Sequence, residues 1–123
     1  MGKTKELKES QLLSDIVIKG LQEIKGENIV YVDLSIMDNA VCENFIICTG
    51  TSNTHVNALA GSVEEEVRKA LGEKPWKTEG FSNAEWVVLD YVNTVVHIFQ
   101  EESRNFYNLD GLWADAKITI IEE

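Results

Sequence analysis

The chain has 123 residues, 44% hydrophobic and 26% charged, with one Pro and 8 Gly; this suits one domain (1–123) with a single core and excludes a Gly- or Pro-rich linker. Eleven Lys and Arg against 21 Asp and Glu leave a formal charge of −10. That balance disfavours binding built on phosphate neutralisation, and so direct sequence-specific nucleic-acid contact, and favours a basic protein surface as partner.

Residues 1–9 are charged, carry no apolar signal core and are expected to fray, so the cytosol is the expected compartment. Leu13, Ile16, Val17, Leu21 and Ile24 recur at helical spacing, which predicts a helix over 10–25 stopped by Gly26. A strand is expected over 29–34, closed by the polar stretch 35–39. A second is expected over 44–48, where an unbroken apolar run asks for burial on both sheet faces. Cys48 lies in that run with no base beside it and reads as a small core residue. With only Cys42, His55 and His97 in addition, no zinc set and no disulfide framework is expected.

The turn 49–52 leads into a second helix over 54–71, with Ser52 or Thr54 as N-cap and Gly72 past its end. Its buried stripe is Val56, Leu59, Ala60, Val63, Val67, Ala70 and Leu71, and Glu64 is placed to pair with Arg68. The acidic triplet Glu64-Glu65-Glu66 cannot converge on one metal, because consecutive helical residues point apart. Residues 75–80 allow a short edge strand. Two β-branched runs, 86–91 and 94–99, then predict a hairpin. On its first strand Trp86, Val88 and Asp90 face one way, and Val87, Leu89 and Tyr91 the other. A short helical segment begins near Ser103, and 117–123 is expected as an edge strand or tail. The pattern predicts an α/β fold, a compact two-layer sandwich with a mixed sheet of about five strands.

Candidate chemistry is sparse. Gly50-Thr51-Ser52, between strand and helix, could cradle a phosphate, but it lacks the Lys of a P-loop and the glycine spacing of a dinucleotide fingerprint. A tight turn with a helix cap is the favoured reading. His97, with apolar neighbours, reads as a core histidine. No nucleophile with a base and no carboxylate pair stands out, so no catalytic residue, cofactor or metal is expected. Trp86, Tyr91, Arg104 and Tyr107 are of the types that dominate binding hot spots.

Three stretches in order carry a family resemblance. They are Phe45-Ile46-Ile47-Cys48-Thr49-Gly50-Thr51-Ser52 with His55 and Ala60; Glu79-Gly80, Ala84-Glu85-Trp86-Val87-Val88-Leu89-Asp90-Tyr91 and Val95-Val96-His97-Ile98-Phe99; and Arg104-Asn105-Phe106-Tyr107-Asn108-Leu109-Asp110-Gly111-Leu112-Trp113. Together they resemble the Iojap family of ribosomal silencing factors, over nearly the whole chain. The resemblance implies a nucleotidyltransferase-like shape without nucleotide transfer, and homodimers. It also implies binding to the large ribosomal subunit, through the fourteenth protein of the large-subunit series on the inter-subunit face. Occupying that face would block small-subunit joining and lower translation when nutrients are scarce; organelle relatives act in large-subunit assembly.

The docking surface is expected around Trp86, Val88, Asp90 and Tyr91, with Glu79, His55 and Arg104 as neighbours. Two alternatives of other kinds are an assembly factor without silencing and a residual nucleotide-binding enzyme using the 49–52 turn. The chain departs from the family pattern at Val92-Asn93, where relatives usually have Gly-Asp. Because Val resists a left-handed backbone, Asn93 is expected to carry any such geometry. It also departs at Glu43-Asn44, where an Asp followed by an aromatic residue is usual.

Overall fold

In the computed structural model, which describes residues 2–37 and 42–122, the first apolar stripe lies on a helix, α1 (Gly2–Glu23). It begins at Gly2 and not near residue 10, because the Lys, Glu and Leu of residues 3–9 are good helix formers that extend an existing helix at little cost. It closes through Lys25, whose φ is 59°. The Lys25 N–H donates to the Gln22 carbonyl (3.0 Å), and the Gly26 N–H to the Leu21 carbonyl (2.9 Å). That is a Schellman closure with Lys25 in the left-handed position and Gly26, the expected stop, just after it. Gly26 serves another need: a Cβ there would lie 2.5 Å from Cys48 Sγ.

Strands β1 (Glu27–Asp33) and β2 (Asn44–Gly50) follow, then α2 (Asn53–Leu71), β3 (Lys77–Glu79), β4 (Trp86–Asp90) and β5 (Thr94–Gln100). Two short helices, α3 (Glu101–Tyr107) and α4 (Leu109–Leu112), precede β6 (Lys117–Ile120). Asp38, in the polar stretch after β1, lies outside the described residues. The sheet among the described residues has six strands in the order β3-β4-β5-β2-β1-β6, antiparallel throughout except where β2 pairs with β5. The sixth strand is the 117–120 segment. Its Ile and Thr residues complete the ladder of β1, which would otherwise be an open edge.

Helices α1 and α2 cover one face. Leu13, Val17, Leu21, Val56, Leu59 and Val63 pack there against Ile46, Cys48, Val87, Leu89, Val96 and Ile98. The opposite face buries Val30, Val32, Phe45, Ile47 and Phe99 beneath Leu109 and Trp113 of the α3–α4 segment. Strand β2 is buried at all of its residues, as its unbroken apolar run requires. On α2, Ser52 caps the start by accepting the His55 N–H (3.1 Å), and Gly72 ends it at φ 68°. Ala70 lies exposed, off the buried stripe. Arg68 pairs with Glu65 (2.8 Å) and not with Glu64, whose carboxyl is partly buried and raised in pKa by that burial.

The β4–β5 turn is where the family departure falls. The Asn93 N–H donates to the Tyr91 carbonyl (3.0 Å), and the Tyr91 N–H to the Thr94 carbonyl (2.9 Å). Val92, at the centre, has φ 77°. So Val92 carries the left-handed geometry, and the expectation that Asn93 would do so is corrected. Asp90 Oδ1 accepts the Val92 N–H (2.7 Å), while the Asn93 carbonyl accepts the Glu43 and Asn44 N–H groups (2.9 and 3.2 Å). Held from both sides, the turn has no room to relax onto Asn93. Its three-residue hydrogen bond at positive φ is the rare, strained hand of the γ-turn, and a β-branched residue makes it worse. Replacing Val92, which is 58% exposed, with Gly is therefore expected to raise stability by about 1 kcal/mol. Urea denaturation of the two proteins checks this; a lower midpoint for Val92→Gly would show that Val92 carries no strain.

Candidate partner-binding face

Register decides which of the candidate residues meet. In β3–β4, Lys77 pairs with Asp90 and Glu79 with Val88; in β4–β5, Trp86 pairs with Phe99, Val88 with His97 and Asp90 with Val95. Cross-strand partners share a face. Glu79, Trp86, Val88 and Asp90 thus share the face turned away from α1 and α2, and Lys77 joins them.

An aromatic wall borders this group. The Trp86 ring lies 4.9 Å from Phe99 and 4.7 Å from Tyr107, centroid to centroid, and its indole N–H donates to His97 Nδ1 (3.0 Å). His97 meets the Phe45 ring nearly edge-on at 4.8 Å. Because Nδ1 accepts, the imidazole is neutral with its proton on Nε2. That nitrogen is buried without a partner among the described residues. Burial pushes the His97 pKa down to about 4. His97 is structural, as its apolar neighbours implied. Val88 and Asp90 stay half-exposed beside the wall, and exposed Glu79 pairs with Lys77 (3.0 Å).

Three expected contact residues do not join this face. Tyr91 is 8% exposed and packs in the core under α1 and α2, because strict alternation turns it away from Trp86 and Asp90. Burial drives its hydroxyl well above the ordinary range, with the charges of Glu64 and Glu73 adding to the effect. His55 spends both ring nitrogens internally. Nδ1 accepts the Thr51 N–H (2.8 Å) and Nε2 donates to the Ile24 carbonyl (2.7 Å), tying the β2–α2 turn to the end of α1. Arg104 is a strut, its side chain 13% exposed. It bonds Asp110 through two nitrogens (2.9 and 3.3 Å), Thr49 Oγ1 (2.8 Å) and the Asn28 carbonyl (2.5 Å).

The 49–52 turn is likewise occupied. A Cβ at Gly50 would lie 2.8 Å from Val56 Cγ2, so the glycine serves the close approach of α2 to β2. The neighbouring cleft is lined by Glu27, Glu101 and Glu102, carboxylates that repel a phosphate. Burial pushes the Cys48 thiol up to about 12, far from a nucleophile. Among the described residues no three His, Cys, Asp or Glu side chains are grouped to hold a metal, and no helix is long and apolar enough to cross a membrane. Sequence reasoning missed Lys77, Phe45 and Phe99 as neighbours of this face. Alternation along β4 and β5 marked the face, but only strand order supplied its neighbours.

The model of a family described as "Ribosomal silencing factor during starvation" matches residues 7–123. The chain is 37% identical over 102 residues to "Ribosomal silencing factor RsfS" of Haemophilus influenzae, covering 83% of this chain and 98% of that protein. To the protein of that name from Bacillus subtilis it is 34% identical over 98 residues, covering 80% and 81%. It is also similar to a crystal structure of a Chromobacterium violaceum protein, with a TM-score of 0.80, 32% identity and coverage of 92% of each chain.

Two measurements check the internal roles. Arg104→Met leaves the Asp110 carboxylate without its cation and is expected to cost about 2–4 kcal/mol in chemical denaturation. A loss below 0.5 kcal/mol (about that of an ordinary surface change) would remove Arg104 as a strut. For His97, the folded pKa of about 4 lies below the ordinary 6.5, so in between the unfolded chain binds a proton that the folded chain refuses. Stability is therefore present in full above pH 6.5 and declines as pH falls toward 4, by up to about 3 kcal/mol from this group. Denaturation series of wild type and His97→Gln should differ in slope across that window; identical slopes would rule the assignment out.

Proposed function

Because the chain belongs to the ribosomal silencing factor family, matched over residues 7–123, we propose that it acts by docking on the large ribosomal subunit and blocking the small subunit from joining. The contact is the face of Trp86, Val88, Asp90 and Glu79. The observation that carries this reading is the half-exposed Val88 and Asp90 beside the Trp86–Phe99–Tyr107 wall: an apolar centre rimmed by Asp90 and the Glu79–Lys77 pair on a preorganised support. A protein of charge −10 finds its complement in a basic ribosomal protein on the inter-subunit face, the fourteenth of the large-subunit series, better than in bare RNA. The mechanism is occupancy. It needs no catalytic residue and no cofactor, and it lowers translation in proportion to the large subunits covered, as suits nutrient limitation.

Co-sedimentation with purified large subunits tests the reading, followed by a subunit-joining assay with added protein. Trp86→Ala is expected to weaken binding on the order of thirtyfold, and Val88→Lys at least tenfold. Tyr91→Phe should bind like wild type, since its ring faces the core. Circular dichroism confirms that each variant is folded. Undiminished binding by both Trp86→Ala and Val88→Lys would exclude this face, and unimpeded joining would exclude silencing in favour of an assembly role.

A further inference from the structure

A second feature stands at the end of the sheet where β5 runs into α3. A cleft of about 330 Å³ is lined there by Glu85, Gln100, Glu102, Ser103, Phe106 and Tyr107. Phe106 is 81% exposed, far more than a large apolar ring needs to be, and it meets Tyr107 edge-on at 5.1 Å. Its position does not come from a loose segment. Arg104, two residues earlier, is bound to Asp110, Thr49 and Asn28; Asn108, at φ 48°, closes α3; and Tyr107 packs on Trp86. The aromatic pair is thus open to solvent on a segment anchored on both sides of Phe106.

The polar lining is one-sided. Glu85 and Glu102 form no ion pair among the described residues. The Gln100 amide nitrogen is spent on the Ala84 carbonyl (3.0 Å), which turns its oxygen into the free group. The cleft therefore offers carboxylates, an amide oxygen, the Ser103 and Tyr107 hydroxyls, which can accept as well as donate, and ring faces, with no cationic side chain among the described residues that line it. A planar cation rich in N–H donors fits that inventory: it can stack on an aromatic ring while its edge bonds two or more oxygens. A point-like ammonium uses the charge but not the planar surface.

We infer that this cleft is an arginine-binding site, which receives a guanidinium side chain from a basic partner protein. It lies beside the face of Val88 and Asp90 but is distinct from it, and it stands whether or not the large subunit is that partner. A single exposed site of this kind binds weakly by itself. Its contribution is to fix the orientation of a partner held elsewhere.

The test uses the isolated full chain and no ribosome, so its failure is distinct from failure of the docking reading. Isotope-labelled protein is titrated with the blocked tripeptide acetyl-Gly-Arg-Gly-amide, with the lysine and citrulline analogues as comparisons, and amide shifts are followed by NMR. Expected are shifts centred on residues 85 and 100–107, stronger for arginine than for lysine and absent for neutral citrulline. Phe106→Ala and Glu102→Gln, both at exposed positions, should each weaken the response about threefold with the rest of the spectrum unchanged. Shifts spread evenly over the acidic surface, including residues 64–66, would overturn the inference. So would equal responses to arginine and citrulline, or no response at all.

Discussion

The hydrogen bond from the Trp86 indole to His97 is the constraint on which the exposed half of the sheet depends. It joins adjacent strands of the hairpin on one face, inside a stack that includes Phe99 and Tyr107. A one-residue slip between β4 and β5 would turn Trp86 toward the helices and set Val87 and Leu89 in water. The bond also requires a neutral imidazole, which burial ensures. Register, protonation state and the support for Val88 and Asp90 are thus one condition and not three.

The same logic extends to the short helices. Neither α3 nor α4 buries a residue of its own fully, so apolar packing alone would hold them weakly. Arg104 compensates by bonding the Asn28 carbonyl, the Thr49 hydroxyl and the Asp110 carboxylate, on three separate stretches of the chain, from a nearly closed site. Leu109 and Trp113 then lie over Phe45 and Ile47, and Tyr107 reaches the Trp86 ring. A residue of hot-spot type thereby holds the scaffold that presents other hot-spot residues, and this explains why a site forecast from residue type alone included it.

Much of the fold was legible because its signals are local. Helical spacing, the unbroken apolar run of β2, the Ser52 cap and the alternating strands of the hairpin each follow from a few neighbouring residues. Misreadings arose where a local preference met a constraint from elsewhere in the chain. Lys25 took the left-handed position at the end of α1, while Gly26 leaves room for Cys48. Val92 took the strained turn because Asp90, Glu43 and Asn44 hold it there. Residues 117–120, expected as an edge strand or tail, form the strand that pairs with β1 and bring the sheet to six strands where about five were expected.

For the candidate face, alternation on β4 grouped Trp86 with Val88 and Asp90 and turned Tyr91 the other way, yet its residue type kept Tyr91 among the expected contacts until the structure placed it in the core. Glu79 joined through the short edge strand. His55 and Arg104 have side chains as polar as any contact residue, and only tertiary structure shows that their donors and acceptors are already used. The sequence by itself determined the α/β class, the two-sided burial of the central strand and the hairpin, because periodicity and side-chain volume act over a few residues. Tertiary structure alone decided strand order, which polar groups remain available and where backbone strain sits. Those depend on hydrogen bonds between residues far apart in the chain, for which no local pattern exists.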